Sequence, residues 1–199
     1  TKGTGKSTIV YGIPQVSPEI SVNKECLYNC DPIQPEACCE HCNQDKPLDP
    51  EMKPMQVINI PLNISEENLF GKIDIENLLK NGERRFVPGL LAKAHRQILY
   101  IDEVNLIPDH ITDSLLDVSA SGYNKVEREG CSIVHKSDFL LIGTMNKEEG
   151  ELRPQILDRF PLSITVTTVT DPEERKEIIR RNFAFENDPV SFCNQFTDV

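Results

Sequence analysis

Short apolar runs separated by longer polar, charged and proline-rich stretches set the rhythm of this chain. Met55 to Pro61 (MQVINIP) has the length and apolar character of a strand. Gln97 to Val104 (QILYIDEV) is largely apolar until two carboxylates interrupt its end, which predicts a central parallel strand buried on both faces. Phe139 to Met145 (FLLIGTM) predicts a second buried strand that ends on Asn146, and the β-branched Leu162 to Val169 (LSITVTTV) predicts a last one. Between them the apolar spacing becomes helical: Ile111, Leu115, Leu116 and Val118 line one side of a helix from about His110 to Ala120. Pro88-Gly89 begins a helix through His95, Gln155 to Phe160 predicts a short one, and Asp171-Pro172 caps a charged helix running to about Asn182. Gly71 to Ile75, a short helix to Asn81-Gly82 and Arg84 to Val87 suggest a hairpin-like insertion, and Val126 to His135 a hairpin turning at Glu129-Gly130. Ser7 to Tyr11 should open a helix that Gly12 and Pro14 end early or kink. Residues 17–54 are rich in Pro, Asn, Asp and Cys with little periodicity, so a long excursion is expected there. Strands alternating with helices indicate an α/β sheet.

The length, 199 residues, suits one domain or one domain plus a small insert. With 32 acidic against 21 basic residues the net charge is -11, which argues against a nucleic-acid partner, because phosphate binding draws on a Lys/Arg surplus. No run approaches the roughly 18 apolar residues of a membrane span, and the start lacks a basic segment followed by an apolar one, so a cytoplasmic protein is expected. Five of the seven cysteines (Cys26, Cys30, Cys38, Cys39 and Cys42) fall close together, which speaks for a local thiol site rather than a dispersed disulfide scaffold. Cys131 and Cys193 stand alone and read as ordinary thiols.

Two motifs carry candidate chemistry. Gly3-Thr4-Gly5-Lys6-Ser7-Thr8 supplies glycines that let backbone amides approach oxygen, a lysine for β/γ-phosphates and a hydroxyl for magnesium; its bland alternative is a flexible terminus. Asp102 and Glu103 end an apolar strand, where Asp102 can hold magnesium and Glu103 can polarise an attacking water; the alternative is a solvated turn. Both motifs in this order predict a P-loop ATPase that uses MgATP, with Ser7 and Asp102 on the metal. The full pattern G-x-x-x-x-G-K-[ST] needs a glycine one position before Thr1 and a feeding strand before that, so the chain is expected to be a fragment. Asn146, past the next strand, is a candidate to orient the same water or else a turn residue. Arg159, on a short helix before the last strand, is a candidate arginine finger; by chemistry alone a surface ion pair is the default reading.

Longer blocks add a resemblance. Leu99 to Leu106 (LYIDEVNL), Leu115-Leu116-Asp117 with Ser121-Gly122, Asn124 to Gly130 (NKVEREG) and Gly150 to Phe160 (GELRPQILDRF) resemble the magnesium chelatase I-subunit family of AAA+ ATPases, along almost the whole chain. The resemblance implies an α/β fold, an AAA+ P-loop core with a parallel sheet and helices on both faces. It implies a helix-2 insert at 65–95, a hairpin insert at 126–135 before sensor 1, and an N-terminal strand and C-terminal lid outside this partial domain. It makes Asn146 the sensor-1 residue, Arg159 the arginine finger and Arg153 a nucleotide-side residue at the subunit junction. It implies a homo-oligomeric, hexameric ring, a D-type AAA+ subunit and a large porphyrin-binding subunit that inserts magnesium, cobalt or nickel into a tetrapyrrole. A MoxR-like remodelling chaperone is the alternative of a different class. Lys147 and Pro161 depart from the family's proline and glycine without removing a catalytic group. The thiols Cys26, Cys30, Cys38, Cys39 and Cys42 suit zinc or an iron–sulfur cluster, against reduced or regulatory thiols on an excursion.

Overall fold

The computed structural model describes residues 4–34, 39, 42, 49–82, 84–128, 130–146, 148, 150, 152–158 and 160–196. It divides into a larger unit, Gly5–Ser163, and a smaller one built around Ile164–Val199. The larger unit runs α1 (Lys6–Val16), β1 (Ile20–Asn23), β2 (Pro50–Lys53), β3 (Val57–Ile60), α2 (Glu66–Phe70), β4 (Gly71–Ile73), α3 (Ile75–Asn81), β5 (Phe86–Pro88) and α4 (Leu90–Ala94). It continues with β6 (Ile98–Ile101), α5 (Asp109–Ser121), β7 (Tyr123–Arg128), β8 (Cys131–Lys136), β9 (Leu140–Gly143) and α6 (Pro154–Leu157). The smaller unit holds α7 (Pro172–Asn187) and α8 (Pro189–Asn194).

The organising element is a parallel sheet of order β3-β6-β9. All four residues of β6 are buried, as expected of a strand covered on both faces, and its alternating side chains serve two layers. Leu99 and Ile101 join Leu69, Leu91, Ile111 and Leu115 in one core, contributed by α2, α4 and α5. On the other side Tyr100 meets Tyr11 of α1 edge to face, with ring centroids 5.9 Å apart. In register Ile60 lies opposite Ile101 and Ile101 opposite Gly143, so the three strands stop at one level and their following residues share one edge. Gly89 starts α4 against the α2–β4 junction, where an added Cβ would stand 2.4 Å from the Leu69 carbonyl oxygen, so only glycine fits.

Three readings of the sequence are corrected. First, α1 does not stop near Gly12 but runs to Val16 with Pro14 inside it. Pro14 sits in the last turn, where its missing N–H costs a single helical bond, and Ser17 closes the end by donating from Oγ to the Ile13 carbonyl at 2.9 Å. Second, residues 162–169 form no strand: they have no ladder partner among the described residues, and Leu162 and Ile164 are 87% and 89% exposed. Third, residues 17–54 are not wholly irregular, because β1 and β2 pair antiparallel from Ile20 opposite Lys53 to Asn23 opposite Pro50. The pairs β4–β5 and β7–β8 are also antiparallel, the latter longer than the pattern suggested. In α7, Asp171 does cap the first turn, accepting from Glu173 N at 2.9 Å.

Candidate functional site

Gly5 precedes α1 in the left-handed region, φ 74°, a conformation that costs glycine little and turns the chain into the helix. The first turn of α1 carries Lys6, Ser7 and Thr8 and no acidic residue, so no carboxylate on that turn offsets the positive end of the helix dipole. Such a helix start attracts an anion, phosphate in particular.

Across from it, β6 ends and Asp102 and Glu103 follow in a turn. Asp102 Oδ1 accepts two hydrogen bonds, from Thr144 Oγ1 at 2.6 Å and from Tyr100 Oη at 2.9 Å. Tyr100 Oη also lies 3.1 Å from Ser7 Oγ, as donor, and 3.2 Å from Thr144 Oγ1. Thr144 commits its hydroxyl proton to the carboxylate, so the single Tyr100 proton alternates between Asp102 and Ser7. Burial, and then the Asp102 carboxylate beside it, hold the Tyr100 phenol above its ordinary range, so it stays a donor. One phenol thus ties the serine of the helix start to the aspartate of the strand end. An exposed carboxylate and a hydroxyl gathered this way suit a hard divalent cation carrying phosphate oxygens. The residues fit magnesium: Ser7 and Asp102 would hold it, where it would neutralise phosphate charge.

Glu103 is one of few non-glycine residues with positive φ, 57°, a conformation worth about 1–3 kcal/mol of strain. Its amide reaches back to Thr144 Oγ1 at 3.4 Å, and the Val104 amide donates to the Thr144 carbonyl at 2.9 Å, so β9 dictates the turn. Asn146, 3% exposed, follows the end of β9, its Oδ1 accepting from Glu148 N at 3.3 Å. Arg153 is held on α5, 3.0 Å from Asp109 and 3.3 Å from Asp113.

Of the residues picked out by sequence, the structure brings Ser7 and Asp102 together and sets Glu103 and Asn146 at the ends of the neighbouring strands β6 and β9. Thr4 precedes the Gly5 turn and Thr8 is exposed on α1. Gly3 and Arg159 lie outside the described residues, as does Cys38. Sequence reasoning missed Tyr100 and Thr144. The signal for Tyr100 was present: it stands two positions before Asp102, hence on the same face of the strand, and is the only residue with a polar side-chain atom in Ile98–Ile101. Tyr11, which receives a 2.6 Å bond from Asn59 Nδ2 on β3, anchors α1 over the same face. No helix among the described residues is long and apolar enough to cross a membrane.

A parallel α/β sheet whose strand ends meet a phosphate-type helix start is the architecture of a P-loop nucleotide-binding core. Residues 49–160 match the model of the AAA domain (dynein-related subfamily), and the chain belongs to that family. It is similar to the magnesium-chelatase 38 kDa subunit of Acidiphilium rubrum, 47% identical over 98% of this chain and 57% of the relative. It is likewise similar to the ChlI homolog of Methanocaldococcus jannaschii, 46% identical over 99% of this chain and 54% of the relative. ChlI of Synechocystis sp. is 45% identical over 98% of this chain and 56% of the relative. The chain therefore spans little more than half the length of these relatives. A solved chain from the complex between the magnesium chelatase subunits BchI and BchD superposes with a TM-score of 0.75 at 43% identity, covering 98% of this chain and 60% of that one.

Proposed function

We propose that the chain is the ATP-hydrolysing part of a metal-chelatase motor subunit. MgATP binds over the start of α1, with Lys6 on the β/γ-phosphates, Gly3, Thr4, Gly5 and Thr8 around them, and Ser7 and Asp102 on the metal. Glu103 polarises the attacking water and Asn146 orients it. Arg159 reaches the γ-phosphate of the neighbouring copy in a cytoplasmic hexameric ring, and Arg153 works at the same junction. The ring acts with a D-type AAA+ subunit and drives a large porphyrin-binding subunit to insert magnesium, cobalt or nickel into a tetrapyrrole.

The observation that carries this reading is the bridge from Ser7 through Tyr100 to Asp102, because it draws a helix-start hydroxyl and a strand-end carboxylate to one point. A carboxylate serving only as a solvated turn has no need of a buried phenol and a threonine donating to one of its oxygens. The test is Glu103→Gln in the full-length protein. Hydrolysis is expected to fall about 10²–10⁴-fold while nucleotide binding persists; unchanged turnover would overturn the role. Reconstitution with the large subunit, porphyrin and a divalent metal separates a chelatase motor from a remodelling chaperone, which would hydrolyse ATP without metal insertion.

A further inference from the structure

Beyond Val22 of β1, which is buried, the described residues of the β1–β2 excursion keep sulfur rather than aliphatic carbon inside. Its aliphatic residues Leu27 and Ile33 are 62% and 80% exposed, whereas Cys26, Cys30 and Cys42 are 9%, 4% and 6% exposed and form an interior with Cys39 and Tyr28. Hydrophobic burial alone does not explain why Leu27 and Ile33 face water while three sulfurs lie inside.

The four sulfurs of Cys26, Cys30, Cys39 and Cys42 all lie within 4.8 Å of one another, with Cys26 and Cys39 3.8 Å apart. A tetrahedral metal with bonds of about 2.3 Å to sulfur sets its ligands about 3.8 Å apart. An iron–sulfur cluster distributes its thiolates over separate irons and so holds them farther apart than one shared ion does. All four are free cysteines. Their surroundings are those of sulfur acceptors: Tyr28 N donates to Cys26 Sγ at 3.4 Å, Cys39 N to Cys30 Sγ at 3.2 Å and Asn23 Nδ2 to Cys42 Sγ at 3.0 Å. Outer groups of this kind orient metal-bound thiolates. Asn23 ends β1 and also accepts from Asp49 N at 2.9 Å, so one side chain joins the sulfur cluster to both limbs of the excursion.

We infer that Cys26, Cys30, Cys39 and Cys42 bind one zinc ion as a closed, structural tetrathiolate site. The spacing, a pair separated by three residues and a pair separated by two, brings two short turns to a single ion. The site braces the excursion where it meets the rest of its unit. Asn29 donates to the Lys93 and His95 carbonyls at 2.9 and 3.2 Å, Arg96 pairs with Asp31 at 3.5 Å, and the Tyr28 ring lies 5.0 Å from the His135 ring of β8. Zinc here has no open position for a substrate, and it stands apart from the Asp102 chemistry.

The experiment uses the full-length protein, purified with reductant and analysed for metals. About one zinc per chain is expected. After exchange, cobalt alone should give the intense visible bands of a tetrahedral thiolate site. Cys26→Ser and Cys42→Ser should lose the metal, whereas Cys193→Ser and Glu103→Gln should keep it. Should the cysteine variants fail to fold, Asn23→Ala tests the same site with all four ligands present, and its zinc affinity should fall about 10-fold or more. Less than about half an equivalent of zinc with no cobalt bands, an iron–sulfur absorption spectrum, or a disulfide among these cysteines in freshly prepared protein would each overturn the assignment. Zinc content read in Glu103→Gln, whose hydrolysis is impaired, keeps this result separate from the fate of the ATPase reading.

Discussion

Two regions of the same unit order their polar groups by opposite means. The edge of the β3-β6-β9 sheet rests on fully buried aliphatic residues, Leu69, Leu91, Leu99, Ile101 and Leu115, and its hydroxyls and carboxylate are held by strands that already have a core beneath them. The β1–β2 excursion has little such support among its described residues: apart from Val22 of β1 its interior is sulfur with Tyr28 against it, and its hold on the neighbouring α4–β6 turn is a set of polar contacts. Packing positions the first region before any ligand arrives. The second needs its ligand to hold several thiolates at one point, since without a cation their like charges repel one another. Hydrogen bonds from Cys30 and Cys39 draw Cys26 well below the ordinary thiol range, while the bond to Cys26 pushes Cys30 up to about 12, and burial pushes Cys42 up to about 12 as well.

The sharpest way to break that comparison is to damage one region and read the other. Leu99→Ala removes a side chain with no exposed surface and should destabilise the sheet by about 2–5 kcal/mol. Denaturant unfolding measures that loss, and the zinc content of the surviving folded protein should not change. A parallel drop in zinc would show that the two regions share one support.

Tyr100→Phe is gentler. It deletes only the hydroxyl between Ser7 and Asp102, a loss of about 1 kcal/mol, so the apparent affinity for MgATP should weaken several-fold with zinc untouched. Magnesium titrations of ATP binding at fixed nucleotide would detect it.

The smallest effect is a pH dependence placed at the junction of the two regions. Burial holds His95 and His135 below the ordinary 6.5, so both rings are neutral in the folded chain. His135 accepts from Asn124 Nδ2 at 2.9 Å through Nε2 and donates from Nδ1 to the Lys136 carbonyl at 2.9 Å, and His95 Nδ1 accepts from Asp138 N at 3.1 Å. A proton on either accepting nitrogen sets donor against donor. The unfolded chain takes up protons first, so stability is full above about pH 6.5 and declines as pH falls below it. Hydrogen exchange at about pH 7.5 and 5.5 should show the loss at the α4–β6 turn and the β7–β8 hairpin before the sheet. Equal loosening of β3, β6 and β9 would count against the junction.

These contrasts also separate what was legible along the chain from what was not. The strands near Val57–Ile60, Ile98–Ile101 and Leu140–Gly143 and the amphipathic α5 could be read directly from the local apolar pattern, but of the strands only Ile98–Ile101 is buried throughout: β9, expected to be buried as well, leaves Leu140 52% exposed, because it has no strand partner beyond β6 among the described residues. The residues 162–169 carry the same β-branched composition, yet they form no strand, since a strand exists only where a partner supplies the other half of its hydrogen bonds. Pro14 misled in the other direction, because its cost depends on how near the helix end it falls. The β1–β2 pair escaped notice since its members lie on either side of a stretch without periodicity.

By itself the sequence determined the chemical inventory: a phosphate-type helix start, two carboxylates closing an apolar strand, an asparagine after the next, and a crowd of cysteines in one excursion. Spacing along one element is enough for such judgements, because the groups concerned are neighbours in the chain. Only the tertiary structure decided that Tyr100 and Thr144 complete the Asp102 site, and that Cys26 and Cys30 converge with Cys39 and Cys42 on a single point. Ser7 and Asp102 stand 95 positions apart, and what joins them is a buried strand whose neighbours must first be packed.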